Sequence, residues 1–279
     1  MKRKLLGGLK IVLAAVLVVS MVMIVRTQTE YAQGESAYEE AAVVAKLPKL
    51  TAIPIPEKQE NGDSEEGTAV SDPNLALLAG INFDELRQEN PDVLGWISIP
   101  ETVLSYPLLQ GEDNDFYLNH TWQKNSGIVG AVFMDCRSNA EMADFNTIIY
   151  GHRMRDGSMF ASLKYYQDQE HWRTHPSVYL ACAEGVYRYD IFSAYEASVL
   201  GPVYDVNARD TDWREAFILS CRKRSVIETN IVPTADDQIL TLSTCTGRGY
   251  STRWVVQAVL EEFYAGNEDV PGAEPPGDM

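Results

Sequence analysis

Cysteine, histidine and, outside the first 26 residues, positive charge are all scarce in this chain. Its 279 residues include only four cysteines and four histidines. Four cysteines are too few for a scaffold held by disulfides, and none has metal-ligand spacing to a histidine or another cysteine. The formal net charge is −17, and phosphate backbones repel such a surface. We therefore expect no metal site at the cysteines, no nucleic-acid partner, and one folded domain with appendages.

The N-terminus departs from this acidic composition. A basic MKRK precedes an apolar run from Leu5 to Val25, which only two glycines, Lys10 and Ser20 interrupt. At about 1.5 Å per residue, a helix of this length nearly crosses a hydrocarbon layer of about 30 Å. Residues 1–26 are therefore predicted to form a cytoplasmic basic tip and a single-pass membrane anchor, with the rest of the chain outside the cell. A cleaved signal peptide is the alternative, but no convincing cleavage site follows Val25.

Two polar segments flank the expected folded domain. Residues 27–79 combine glutamates with proline-containing stretches and have no sustained apolar period, which is typical of a linker that buries too little apolar surface to offset its ordering entropy. A short helix near residues 35–46 is the one element considered there. Residues 265–279 are rich in proline, glycine and acid and are predicted to be a disordered tail. The folded domain is thus expected at residues 80–264.

Short apolar or alternating runs, separated by Gly, Pro, Asn and Asp turn signals, dominate that domain. Eight of them predict strands: LGWISIP, VLSYPLL, GIVGAVFM, NTIIYG, SVYLAC, VYRYDIFSAYEA, QILTLSTC and RWVVQAVLEEF. One helix, residues 82–90, precedes them, and a second, residues 212–223, lies between the sixth and seventh, with a capping box from Asp212 to Glu215. The regular strand–helix alternation of a parallel sheet is missing. The pattern predicts a mostly β fold, a closed and mostly antiparallel barrel with a few helices.

The four cysteines differ in their surroundings. Cys182 ends an apolar strand and Cys221 lies on the apolar face of a helix, so both are interpreted as small buried hydrophobic residues. A disulfide between Cys136 and Cys182 stays open. Cys245 differs, because the apolar ILTL there gives way to small polar residues, which places its thiol at a strand exit. A nucleophilic cysteine needs such a partly exposed position, preferably near a cation.

Two other strand ends carry groups that complement a thiol. Arg253 opens the strand after the turn TGRGYST and would lie beside Cys245 if the two strands pair, where its guanidinium could stabilise an oxyanion; Arg248, inside the turn, is the alternative. His152 follows the strand NTIIY behind a glycine and is the candidate base. The remaining histidines lie in polar, loop-like contexts and are interpreted as solvated or capping residues: His120, His171 and His175.

Together these residues resemble the sortases, and among them class B. The resemblance spans roughly residues 82–263 and rests on TLSTC, YGHRM and RWVV, with LGWISIP and GEDNDFYLNH upstream. It implies an eight-stranded barrel with an N-terminal helix and an inserted helix before the catalytic strand. It also implies a cysteine transpeptidase of the thiol-peptidase type that needs no metal or organic cofactor. Cys245 would be the nucleophile, His152 the general acid and base, and Arg253 the oxyanion-stabilising group.

The resemblance further implies the partners. These are secreted proteins with a C-terminal sorting signal and an amine of a cell-wall precursor, or a pilin lysine in the pilus-assembling alternative. Four residues match substrate-lining positions: Ser243, Tyr150, Asn114 and Leu118. In some class B members an Asp lies two residues after the cysteine, where this chain has Gly247. An L,D-transpeptidase, another cysteine peptidase and a non-enzymatic surface adhesin are the rival interpretations.

Overall fold

The fold is a closed barrel of eight strands with helices packed outside it. The computed structural model describes residues 2–47, 72–206 and 210–265. Its α-helices are α1 (Lys2–Val44), α2 (Pro73–Ala79), α3 (Phe83–Glu89), α4 (Gln169–Thr174) and α5 (Thr211–Arg224). Its strands are β1 (Val93–Ser98), β2 (Ser105–Leu109), β3 (Val132–Met134), β4 (Asn146–Tyr150), β5 (Ser177–Cys182), β6 (Gly185–Ser198), β7 (Ile239–Cys245) and β8 (Thr252–Ala265). Each of the eight strands coincides with a predicted one.

The strands close in the order β1-β2-β3-β4-β7-β8-β6-β5, which confirms the predicted eight-stranded barrel. Six of the eight strand pairs are antiparallel, as the prediction of a mostly antiparallel barrel requires, and two are parallel, β2 with β3 and β4 with β7. Inward-facing aliphatic residues fill the barrel, Ile97, Ile149, Leu242 and Val256 among them. The parallel β4–β7 pair matters for the site, since parallel strands end at the same edge of a sheet.

Helix α1 contributes to the fold far more than the sequence suggested. It continues to Val44, through residues assigned above to a linker, and Ala37, Ala41 and Ala45 are buried against the barrel exterior. The expectation that residues 27–79 as a whole bury little surface is therefore wrong for residues 37–45 and for α2. Alanines spaced by four residues bring a helix close to its neighbour, but they are a faint hydrophobic signal. Residues 48–71 of the predicted linker and 266–279 of the predicted tail lie outside the described residues.

The apolar N-terminal part of α1 is exposed at every described side chain from Leu13 to Val25. All of its large hydrophobic side chains between Leu13 and Val25 are more than half exposed. Among the described residues, this is the one helix long and apolar enough to cross a membrane. The observation accords with the anchor expected at residues 1–26.

Helix α5 occupies the place predicted for the inserted helix, and its apolar face covers β6, β7 and β8 through Phe217, Ile218 and Cys221. Its N-cap is Asp210, whose side chain accepts a hydrogen bond from the Trp213 N–H. The predicted capping box at Asp212 is therefore wrong, because the helix begins one residue earlier, at Thr211. A 3₁₀ helix (Phe160–Gln167) and α4 were not predicted from the sequence.

Candidate active site

Cys245 is the last residue of β7 and is half-buried, whereas Ser243 and Thr244 before it are buried. All four cysteines are free thiols, so the disulfide left open between Cys136 and Cys182 does not form. Burial raises the pKa of the Cys182 thiol to about 11 and that of Cys221 to about 11. Both therefore stay protonated at neutral pH and are poor nucleophiles.

The parallel pairing of β4 and β7 brings His152 to the same edge as Cys245. Tyr150 lies opposite Ser243 in the register, and the Gly151 N–H donates to the Ser243 carbonyl at 3.2 Å. The Thr244 hydroxyl donates back to the Gly151 carbonyl at 2.7 Å. His152 and Cys245 are each two residues beyond the Tyr150–Ser243 pair, so both lie at the same edge of the barrel.

The imidazole of His152 is held by the loop between β2 and β3. Its Nε2 lies 2.5 Å from the Leu118 carbonyl oxygen. A carbonyl oxygen only accepts hydrogen bonds, so Nε2 carries a hydrogen and Nδ1 is the nitrogen that gains or loses the second proton. Gly130 has a φ of 58° and packs against the ring: a Cβ there would lie 2.9 Å from His152 Cδ2.

Arg253 lies opposite Cys245 in the antiparallel β7–β8 register, as the pairing expected from the sequence requires. Its Nη1 donates to the carbonyls of Tyr250 and Thr252, both at 3.0 Å. These bonds fix the guanidinium on the turn, and within the described residues Nε and Nη2 have no partner. Arg248 instead forms an exposed pair with Glu196 at 3.4 Å.

Tyr204, which sequence reasoning missed, connects the site to its surroundings. Its hydroxyl and that of Ser243 are 2.9 Å apart, and its ring stacks on Tyr150 with centroids 6.3 Å apart. Burial raises the pKa of Tyr204, the Ser243 hydrogen bond and Arg253 lower it, and Cys245 raises it, so these groups are within electrostatic reach of one another. The residue lies in a 3₁₀ helix after β6, and no local pattern in PVYD indicates a functional role.

Asp135 gathers the other predicted substrate-lining residues. Its buried carboxylate accepts from Arg137 Nε at 2.8 Å and Nη2 at 2.7 Å, and from the Tyr150 hydroxyl at 2.8 Å. The Asn114 side chain accepts a hydrogen bond from the backbone N–H of Cys136, the residue that follows Asp135, at 2.8 Å. Burial raises the pKa of Asp135, but the hydrogen bonds from Arg137, Tyr150 and Asn114 outweigh it and bring the pKa to about 2. Ser243, Tyr150 and Asn114 thus belong to one polar network, while Leu118 contributes its carbonyl to His152 and leaves its side chain 40% exposed.

Asp135 should stabilise the fold in a pH-dependent way. Because its folded pKa is about 2, below the ordinary value of 3.8, its contribution is fully present above about pH 5 and is lost as the pH falls through 2. We expect Asp135→Asn to lower the free energy of unfolding at pH 7 by about 2 kcal/mol and to flatten the decline between pH 5 and 2, measured by urea unfolding. Asp115→Asn, at an exposed side chain, is the control and should change neither. A variant Asp135→Asn with the wild-type acid decline would contradict this assignment.

Arg153 joins the histidine and cysteine segments directly, and the sequence did not predict it. Its Nη1 donates to the carbonyl of Thr246, the residue after Cys245. Gly247 has a φ of 76°, and a Cβ there would lie 2.6 Å from Arg153 Nη1. The guanidinium therefore takes the space that a side chain at position 247 would occupy. Within the described residues, no cluster of His, Cys, Asp and Glu could hold a metal ion.

Comparisons with known proteins agree with this fold and this arrangement. The sortase domain family model matches residues 97–261, which is more than half of the chain. The chain therefore belongs to the sortase family, whose members are cysteine transpeptidases.

Known relatives indicate which class of sortase this chain resembles. Sortase B of Listeria monocytogenes is 36% identical over 203 residues, which cover 71% of this chain and 82% of the relative. Sortase B of Staphylococcus aureus is 33% identical over 163 residues, covering 58% of this chain and 67% of the relative. A structure of the S. aureus sortase B–substrate complex aligns with a TM-score of 0.67 at 27% identity, covering 84% of this chain and 99% of that one. These matches confirm the class B resemblance.

Proposed function

We propose that this chain is a membrane-anchored sortase that cleaves a C-terminal sorting motif of secreted proteins and joins the new carboxyl end to an amine of the cell wall. The observation that carries the proposal is the register of three adjacent strands. Strands β4 and β7 bring the His152 and Cys245 segments to one edge, and β8 returns Arg253 opposite Cys245. A thiol, an imidazole and a guanidinium at one rim are the groups that acyl transfer through a thioester requires.

The first half of the reaction is acylation of the enzyme. The Cys245 sulfur attacks the carbonyl carbon of the motif's threonine, and the resulting oxyanion is stabilised by the unpaired Nε and Nη2 of Arg253. The tetrahedral intermediate collapses as the C–N bond breaks, and Nδ1 of His152 protonates the departing amine. The thioacyl enzyme and the C-terminal fragment are the products. Tyr204 and Ser243 line the approach to the sulfur and would contact the motif.

The second half restores the enzyme. An incoming amine gives its proton to His152 and attacks the thioester carbonyl, so a new C–N bond forms and the C–S bond breaks. A cell-wall precursor amine is the proposed acceptor; a pilin lysine is the alternative, and water would make the enzyme a slow thiol peptidase. The exposed apolar helix at residues 13–25 and the basic tip before it support a single-pass anchor with the barrel outside the cell.

Turnover of sorting peptides tests the proposal. The full chain in nanodiscs is incubated with fluorogenic peptides of the Asn-Pro type and of the Pro-x-Thr-Gly type, with and without triglycine, the compound present in one sortase B structure. We expect cleavage of one motif type, and a peptide–triglycine product whenever the amine is present. Nα-acetyl-lysine in place of triglycine tests the pilin alternative. Cleavage without any amide product at saturating amine would contradict transpeptidation, and no cleavage of either motif would contradict the substrate class.

Arg253→Lys is expected to reduce kcat about 100-fold while KM for the peptide changes less than threefold. A lysine keeps the charge but loses the planar fork, one side of which is bound to the turn while the other faces the oxyanion. The measurement is steady-state peptide cleavage. Arg248→Lys is the matched control, because Arg248 lies in the same turn and its partner is Glu196; it should retain wild-type kinetics. Equal rates for the two variants would exclude a role of Arg253 at the oxyanion.

A further inference from the structure

The C-terminal half of helix α1 is docked on the loop that holds the candidate catalytic histidine. This loop, residues 117–131, receives three contacts from one helix face. A Cβ on Gly34 would lie 2.6 Å from Val129 Cγ2, so the helix and Val129 are in close contact. The Ala37 carbonyl accepts a hydrogen bond from Trp122 Nε1 at 2.7 Å. The Tyr38 hydroxyl donates to the Gly130 carbonyl.

The third contact reaches the residue that supports the imidazole. Gly130 packs against the ring of His152 and against the carbonyls of Tyr117 and Leu118, which a Cβ at Gly130 would approach to 2.7 Å and 2.8 Å. The Leu118 carbonyl is the acceptor for His152 Nε2. Gly130 therefore makes two contacts. Its carbonyl oxygen accepts the hydrogen bond from Tyr38, and its α-carbon lies against the His152 ring.

A second route joins Tyr38 to the chain on the other side of His152. The Tyr38 ring meets Tyr106 edge-on, with centroids 5.2 Å apart. The Tyr106 hydroxyl accepts a hydrogen bond from the Met159 N–H at 2.9 Å. Met159 pairs with Arg153 in an isolated bridge, and the N–H of the next residue donates to the His152 carbonyl at 2.9 Å. Tyr38 thus supports both the loop beneath the imidazole and the segment that carries it.

We propose that Tyr38 is a positioning residue for His152, through which the membrane-proximal half of α1 sets the orientation of the imidazole. The inference rests on the proposed function, in which His152 transfers the protons. A misoriented imidazole slows proton transfer in both half-reactions but leaves the peptide groove unchanged, so the effect should fall on kcat.

The test is Tyr38→Phe in the full chain in nanodiscs, which keeps the ring contact with Tyr106 and removes the hydroxyl that donates to Gly130 and interacts with the Trp122 backbone N–H. We expect kcat for transpeptidation to fall about tenfold and KM for the peptide to stay within twofold. Tyr31→Phe is the matched control, because Tyr31 lies on the same helix and its hydroxyl has no partner within the described residues. It should match the wild type in both measurements.

Trp122→Phe distinguishes a positioning role of Tyr38 from a purely structural role. This variant removes the Ala37 hydrogen bond and therefore loosens the same helix from the same loop without touching Gly130. We expect it to lower the unfolding temperature at least as much as Tyr38→Phe and to leave kcat within twofold of the wild type. An equal fall of kcat in both variants, or wild-type kinetics for Tyr38→Phe, would overturn the inference. A wild-type chain without Cys245-dependent turnover would instead overturn the proposed function.

Discussion

Cys245→Ala is expected to reduce peptide cleavage and amide formation at least a thousandfold, to the level of the uncatalysed reaction. No other thiol can substitute for it. Cys221 is buried on the inner face of α5, Cys182 is held protonated by its burial, and Cys136 lies beside the Asp135 network with its backbone bound to Asn114. In the proposed mechanism the sulfur forms the covalent intermediate, so its loss should remove the pathway rather than slow one step. The fold should tolerate the change, since Cys245 is half-buried at the end of its strand.

Mass spectrometry tests directly whether the acyl intermediate forms on Cys245. Wild-type enzyme mixed with motif peptide and no amine should gain the mass of the acyl fragment on the tryptic peptide that contains Cys245, and hydroxylamine should remove it. Cys182→Ala is the matched control, because it deletes a half-buried thiol from the end of another strand; it should retain wild-type turnover and the adduct. An adduct on any other cysteine, or activity that survives Cys245→Ala, would contradict the proposed mechanism.

The strands were predictable from the sequence because turn-forming residues mark their ends. Glycine, proline and asparagine separate the strands, and the resulting eight strands are all present. The helix α1 extension was missed because alanines make its contact face, and small side chains produce only a weak apolar period. The two parallel pairs were missed because strand direction depends on connections that run across the barrel, and local patterns do not record them.

Some residues of the candidate site could be predicted from the sequence, and others could not. Cys245, His152 and Arg253 could be singled out because each stands at the end of a strand, where a polar residue follows an apolar run. Tyr204 and Asp135 gave no comparable signal, since their roles depend on loops that meet only in three dimensions. Arg153 lies next to His152 in the chain, but its bond to Thr246 follows from the β4–β7 register. Leu118 was predicted as a substrate-lining residue, and the sequence did not indicate that its carbonyl lies against His152 Nε2.

Gly130→Ala is expected to have the second largest effect, because it damages stability and chemistry together. A φ of 58° strains any residue with a Cβ, by about 1–2 kcal/mol. At Gly130 the new methyl group would also lie 2.7 Å from the Tyr117 carbonyl oxygen, 2.8 Å from that of Leu118 and 2.9 Å from His152 Cδ2. Two of these neighbours are backbone, so relief requires the loop or the imidazole to move. We expect a further loss of about 1–3 kcal/mol from overpacking and a kcat/KM about 100-fold lower from displacement of His152.

Gly157→Ala separates these contributions. Gly157 has a φ of 93°, and a Cβ there would meet nothing within 4 Å, so this variant should show the backbone strain alone, with kcat/KM close to wild type. Urea unfolding and peptide cleavage measure both variants. The double variant Gly130→Ala with Tyr38→Phe adds a final constraint: because both changes act on His152 through one peptide group, their effects on kcat should be less than additive in free energy. Full additivity, or equal activity losses in Gly130→Ala and Gly157→Ala, would mean that the loop does not position the imidazole.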